Sequence, residues 1–200
     1  MKLIIIEGTD NTGKDTVISN IMKKYPCVKV YHCCKPKGST LEECQQEQFD
    51  AFTAIALHNV IDYGNGSADI DATIHNRSWY GEYVYGCLYR DNTDIWVKDM
   101  ILREEQLIRK GIPDNDIILI TLLSDNADFL VKNDDGLSIS KANKEKIEQE
   151  TQRFVEIHNF STLKNKHIVW VNEGDHFRSR EDIWNEINNF IDSTNTNIKK

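Results

Sequence analysis

Short runs of β-branched and apolar residues alternate along this chain with longer stretches whose apolar positions recur every three or four residues. The runs at Lys2–Glu7, Val28–His32, Ala72–Asn76, Ile117–Leu123 and His167–Val171 predict strands. Between them the helical period marks Lys14–Lys24, Leu41–Tyr63, Tyr80–Arg90 followed by Asp94–Lys110, Ala127–Lys132 followed by Lys141–His158, and Arg180–Asp192. Strands that alternate with helices pair in parallel, and continuously apolar ones such as Leu3-Ile4-Ile5-Ile6 are buried on both faces. The predicted fold is α/β, a five-stranded parallel sheet with helices on both faces. Ligands in such folds sit beyond the carboxyl ends of the strands, so the chemistry is sought there.

After the first run comes Gly8-Thr9-Asp10-Asn11-Thr12-Gly13-Lys14-Asp15, and a helical pattern opens at Lys14. The spacing Gly-x4-Gly-Lys is that of a phosphate-binding loop. Glycines let backbone N–H groups curl round phosphate oxygens, a lysine reaches the transferred phosphoryl group, and the helix N-terminus favours an anion. The bland alternative is an ordinary glycine-rich turn, but strand, loop and helix stand in the required order. One position departs from the pattern. Ser or Thr usually follows the lysine and ligates Mg²⁺ through its hydroxyl; here Asp15 follows, then Thr16. A carboxylate is also a hard oxygen ligand, so Asp15 is the candidate metal ligand.

Composition narrows the classes. Two hundred residues suffice for one domain with a full core. The net charge of −8 argues against a nucleic-acid track, which needs a basic face, but leaves room for a small anion held by local cations. Cys27, Cys33, Cys34, Cys44 and Cys87 show no metal-ligand spacing and are expected as reduced thiols, which points to the cytoplasm. The N-terminal apolar run is too short to span a membrane, and no membrane partner is expected. The organisation expected is one domain over 1–192 and a polar tail at 193–200. Asn133-Asp134-Asp135-Gly136-Leu137-Ser138 is either a plain surface loop or part of a mobile phosphate-covering lid near 127–145.

Two further strand ends carry cations. Lys35-Pro36-Lys37-Gly38-Ser39-Thr40 follows the second strand. Its lysines suit a second phosphate; alternatively this is a solvated turn in which Ser39 or Thr40 caps the next helix. Asn76-Arg77-Ser78 follows the third strand, where the planar fork of Arg77 would face the same cleft.

In element order and in these motifs the chain resembles thymidylate kinase and related nucleoside monophosphate kinases, phage-encoded members included. Ile6-Glu7-Gly8-Thr9-Asp10-Asn11-Thr12-Gly13-Lys14-Asp15-Thr16 is similar to that family's Glu-Gly-x-Asp-x-x-Gly-Lys-Ser-Thr, Lys35–Thr40 to its Glu-Pro-Gly-Gly-Thr, and Asn76-Arg77-Ser78 to its Asp-Arg-Tyr. The resemblance implies a P-loop nucleotide kinase fold with ATP and Mg²⁺ as cofactors and a nucleoside monophosphate as substrate. It implies that Gly8, Asn11, Thr12, Gly13, Lys14, Asp15 and Thr16 hold the ATP phosphates. The loop after the last strand, with Asn172, would lie against adenine. On the acceptor side it implies Asp10 near the sugar and phosphate, Lys35 and Lys37 at the phosphate, Phe52 stacked on the base, Arg77 on phosphate, and Tyr85 against the ribose 2′ position. At helical spacing, Phe52 and Tyr85 are equally explained as core residues. The resemblance also carries the expectation of a homodimer through helices flanking the sheet. The apolar positions of Phe52–Val60 would supply that contact or simply fill the core.

Departures from the family pattern bear on substrate and catalysis. Ala56 stands where the family has the arginine that reads the thymine edge, so a relaxed or different base preference is expected. Asn76 replaces an aspartate while Asp15 replaces a serine, as if one carboxylate had moved between strand ends. The family's catalytic arginine has no counterpart in the loop, where Asn11 stands, and the lid offers lysines, of which Lys132 is the candidate. With Lys14, Arg77 and Lys132 as the catalytic cations, the expected reaction is phosphoryl transfer from ATP to a nucleoside 5′-monophosphate, dTMP or another deoxynucleotide. It needs positioning and charge neutralisation more than covalent chemistry. The rivals are a deoxynucleoside kinase, which wants a carboxylate base where this chain carries Lys35 and Lys37, and a non-catalytic nucleotide-binding regulator.

Overall fold

The computed structural model describes residues 1–66 and 69–194. Its elements follow in the order β1 (Lys2–Gly8), α1 (Lys14–Lys24), β2 (Val28–His32), α2 (Leu41–Gly64), β3 (Ala72–Asn76), α3 (Trp79–Tyr89), α4 (Asp94–Arg109), β4 (Ile117–Leu123), α5 (Ala127–Lys132), α6 (Lys144–Phe160), β5 (Asn165–Trp170), the two-residue strands β6 (Asn172–Glu173) and β7 (His176–Phe177), and α7 (Arg180–Ser193). Five strands form one all-parallel sheet in the order β2-β3-β1-β4-β5, and β6 with β7 makes a separate small hairpin.

The period-2 geometry of β1 divides the core. Leu3 and Ile5 point to one face, packed with Phe52, Tyr80, Ile101 and Phe154 of α2, α3, α4 and α6. Ile4 and Ile6 point to the other, packed with Ile18, Ile21, Ile187 and Ile191 of α1 and α7. Each fully buried isoleucine contributes roughly 1.5–3 kcal/mol, so the middle strand anchors both layers. It ends at Gly8, whose φ is 138° and where a Cβ would lie 2.0 Å from the Leu122 carbonyl oxygen of β4. Only glycine lets the chain leave the sheet there.

The helix starts are set by side chains. Thr40 closes a capping box with Glu43 at α2, Ser78 caps α3, Thr93 caps α4, and Asn143 caps α6. Of the two capping candidates weighed above, Thr40 is the cap, while Ser39 donates its N–H (2.8 Å) and hydroxyl (2.6 Å) to the Glu43 carboxylate.

The strands and helices agree with the periodicity to within a few residues. α6 starts at Lys144 rather than Lys141, because Lys141 and Ala142 take left-handed backbone (φ 51° and 54°) before the Asn143 cap. β5 starts two residues early, paired from Asn165 onto Ile118. The hairpin around Gly174 was not anticipated, its strands being too short to show a period. The expected polar tail at 193–200 begins inside α7, and residues 195–200 lie outside the described ones. Among the described residues, no helix is long and apolar enough to cross a membrane.

The crowding at Gly8 is directly testable. Gly8→Ala should lower unfolding stability in urea by roughly 3 kcal/mol or more, through the left-handed backbone and the Leu122 overlap together. Gly136→Ala, also at a positive φ (81°) but in open space, should cost clearly less.

Candidate active site

The loop between β1 and α1 is built to leave donors free. Gly13, at φ 85°, occupies the cap position of α1 and supplies no side-chain cap, so the first N–H groups of that helix remain unclaimed by any side chain. The Thr12 hydroxyl donates to the Thr9 carbonyl (2.8 Å) and closes the loop from within. The Lys14 ammonium is folded onto the same loop, donating to the carbonyls of Thr9 (2.6 Å) and Gly8 (3.1 Å). Its pKa is lowered to about 8, by burial first and then by the Arg77 charge, against the upward pull of Asp10, Glu7 and Asp15.

Arg77 leaves β3 in a left-handed conformation (φ 73°), while its N–H still donates to Ile6 (3.1 Å). That backbone is uncommon for a side chain this large and sits at the strand end facing the loop. The guanidinium pairs with Asp10 (Nη2 to Oδ1, 2.5 Å) and lies over the Tyr85 ring at 5.0 Å. Burial works against its charge, but Tyr85, Asp10 and Glu7 outweigh it and hold the pKa above the usual arginine value.

Behind it, Glu7 is fully buried. It accepts the Ser78 hydroxyl (2.7 Å) and the Gly81 N–H (3.1 Å), so the end of β1 is tied to the start of α3. Burial raises its pKa, against the lowering by Ser78 and Arg77.

These groups open onto a cleft of about 630 Å³ lined by Asp10 to Val17, Asn76, Arg77, part of the 133–138 segment, and Phe177, Arg178, Arg180 and Trp184 from the C-terminal side. The segment expected as a lid lies against the loop: the Asn11 amide donates to Asp134 (3.4 Å), and the Ile139 N–H to Asp10 (3.3 Å).

The structure brings Asp10, Asn11, Thr12, Gly13, Lys14, Asp15, Thr16 and Arg77 to this one cleft. Tyr85 is 3% exposed and reaches it only as the platform beneath Arg77. Gly8 acts through backbone geometry. Other anticipated residues lie elsewhere. Lys35, Lys37 and Lys132 are exposed, and none lines the cleft. Phe52 is buried against Trp79 (ring centroids 4.7 Å) beside Ala56, in the wall of a different cavity. The Asn172 side chain is spent on Asp125 and the Gly174 carbonyl, holding the hairpin turn.

Three participants escaped the sequence reading. Arg178 and Arg180 supply cations from the far side of the cleft. Arg178 is committed to Glu186 (2.7 Å) and the Trp170 carbonyl, whereas Arg180 has no ion pair among the described residues. Glu150 lines a small recess shared with Thr9, Asp10 and Asn11. It accepts the Tyr89 hydroxyl (2.6 Å), and its pKa is raised to about 7, chiefly by burial. Its signal was a carboxylate in line with Ile147, Phe154 and Ile157 on the buried stripe of α6.

The donor set fits a magnesium ion held mainly by phosphate. Asp15 receives the Asn76 amide (3.4 Å), and the Asn76 Oδ1 is buried without a partner, a second hard oxygen beside the loop. Among the described residues no group of three His, Cys, Asp or Glu side chains could hold a metal. Mg²⁺ takes one or two carboxylates and keeps its other positions for phosphate and water.

No family model and no curated protein matches the chain. Solved structures do. The YorR protein of Bacillus subtilis, in complex with phosphorylated GDP, superposes with a TM-score of 0.65 at 18% identity over 98% of this chain and 99% of that one. Thymidylate kinase from Candida albicans gives 0.55 at 17% identity, covering 97% and 92%. Deoxyadenosine kinase from M. mycoides with bound dCTP gives 0.53 at 14%, covering 96% and 99%. The chain thus has the P-loop nucleotide kinase fold.

The Lys14 geometry predicts a pH limb. The charged form binds phosphate, and its pKa in the free protein is about 8. Affinity for ATP should therefore be level between about pH 7, above the titration of its terminal phosphate, and that value, and fall above it by up to tenfold per pH unit. In Lys14→Met, calorimetry should find weaker binding without that limb.

Proposed function

We propose that this chain is an ATP-dependent kinase that phosphorylates a nucleoside 5′-monophosphate, dTMP or another deoxynucleotide, giving the diphosphate and ADP. The observation that carries the reading is Arg77. A strained backbone, Asp10 and Tyr85 hold its guanidinium in the same cleft as the Lys14 loop, which places a second phosphate-sized cation opposite the first. Two of the structural neighbours are named as a thymidylate kinase and a deoxyadenosine kinase, and this supports a phosphotransferase that acts on a nucleoside or nucleotide.

In this reading the free N–H groups of α1 and Lys14 hold the donor phosphates, and Arg77 orients the acceptor. Arg180 supplies the guanidinium that the 127–145 segment, whose cations are lysines, lacks. That segment, tied to Asp10 and Asn11, serves as the lid that excludes water. Asp15 and the Asn76 Oδ1 would hold Mg²⁺, which supplies charge neutralisation between the phosphates. The acceptor's own oxygen attacks, so no strong base is required.

One observation favours a second reading. Glu150, titrating near 7 beside Asp10, has the pKa of a general base, which a deoxynucleoside kinase needs for a neutral hydroxyl. Steady-state ADP release against deoxynucleoside monophosphates, with the parent nucleosides alongside, separates the two. The monophosphates are expected to turn over and the nucleosides not. Turnover of nucleosides alone, abolished in Glu150→Gln, would establish the second reading. ATP binding without turnover of either would leave only a regulatory role.

The carboxylate exchange has its own test in the magnesium dependence of that rate. Asn76→Asp should crowd two carboxylates and lower turnover roughly tenfold. Adding Asn76→Asp to Asp15→Ser should raise it above Asp15→Ser alone. No recovery in the double variant would falsify the exchange.

A further inference from the structure

A second cavity, of about 320 Å³, lies between α2 and α4 and shares no lining residue with the phosphate cleft. Its walls combine three aromatic rings, Phe49, Phe52 and Trp79, with Met100, Leu107 and Ala56, and polar side chains of Thr53, Arg103, Gln106 and Lys110 complete them. Among them is a carboxyl group, Glu104. It is 7% exposed, it lies on the buried stripe of α4 formed by Val97, Met100, Ile101 and Ile108, and its Oε1 is buried without a hydrogen-bond partner.

Unpaired buried carboxylates are costly, and cores normally place leucine at such positions. The surroundings make this one costlier. Glu105 on the same helix and Glu7 on β1 both press negative charge on it. With burial as the larger cause, they push its carboxyl up to about 8. The other titratable groups it senses, the Cys33 thiol after β2 and the Tyr80 hydroxyl on α3, bring no positive charge. α2 contributes only Phe49, Phe52, Thr53 and Ala56 to the lining. Of the two cations at the cavity, Arg103 is exposed and paired with Asp99 (2.8 Å), and Lys110 is exposed at the end of α4.

We propose that the cavity between α2 and α4 is a binding site for a small flat organic cation, an amidinium or guanidinium on an apolar or aromatic body, whose fork pairs with Glu104. A planar cation matches a carboxylate with two parallel hydrogen bonds, and its charge is further favoured by the faces of Phe49, Phe52 and Trp79. The volume lies at the small end of ligand pockets, the size of one ring bearing a charged head. Glu104 must lose its proton to pair with the cation, so binding releases a proton wherever the free protein holds it protonated.

The site stands apart from the kinase reading, since binding at it needs neither nucleotide nor turnover. The test is calorimetric titration of the intact protein with benzamidine, with uncharged benzamide as control, from pH 6 to 9. Benzamidine should bind, and benzamide at least tenfold more weakly. Affinity should rise close to tenfold per unit up to pH 8 and level off above it, with buffer-dependent heats reporting the released proton. Glu104→Gln keeps the shape, should abolish the pH dependence and should weaken binding at least tenfold. Thr53→Phe, which fills the cavity from α2, should block binding with Glu104 intact. Equal binding of benzamide, or affinity unchanged in Glu104→Gln, overturns the proposal. So does absence of binding together with a dimer mass by light scattering, which would show a second copy covering the cavity.

Discussion

Glu7 has no exposed surface, yet the arrangement of the cleft depends on how its carboxylate is satisfied. The Ser78 hydroxyl and the Gly81 N–H both donate to one oxygen, Oε1. They fasten the end of β1 to the first turn of α3. That fastening places the turn between β3 and α3, which contains Arg77, and Arg77 pays for its position with a left-handed backbone. From there the guanidinium reaches Asp10 on the loop and the face of Tyr85, one helix turn and a half into α3. Removing the buried acid would release the start of α3, and the arginine with it, although Glu7 itself does not line the cleft.

A second constraint acts on the same strand from the other side. β1 is bordered by β3 and β4 and covered by helices above and below, so its departure from the sheet is crowded. The Leu122 carbonyl beside Gly8 and the free cap position at Gly13 bracket a loop whose backbone points inward by necessity. Lys14 closes on that loop with its charge reduced by burial, and the carboxylates Asp10, Glu7 and Asp15 limit the loss.

The sheet and most helices were legible because their signals are local. Continuous Ile and Leu runs mark two-sided burial, and Thr40, Ser78, Thr93 and Asn143 mark helix starts. The phosphate loop was legible because its glycine and lysine spacing states a backbone geometry. Arg178 and Arg180 were not, since they gain meaning only when the chain after the hairpin around Gly174 comes to the same cleft as the phosphate loop. Glu150 and Glu104 were not singled out in the sequence, and packing shows that they interrupt the buried stripes of α6 and α4. Phe52 carried two explanations in the sequence, a family stacking position and core packing. The ring packs on Trp79, in keeping with the second. Lys35, Lys37 and Lys132 stand near strand and helix ends, but nearness in sequence does not direct a long flexible side chain inward.

Asp10 serves two masters in this structure. One oxygen holds the Arg77 guanidinium and the other accepts the Ile139 N–H of the segment after α5. An anion arriving in the cleft competes with this internal carboxylate for the same guanidinium. When it succeeds, the charge on Asp10 is no longer shared, and its remaining hydrogen bond to the segment strengthens. On the proposed function, the protein's own aspartate would act as a resident surrogate for the ligand, and its replacement would couple occupation of the cleft to the grip on the strand of chain above it.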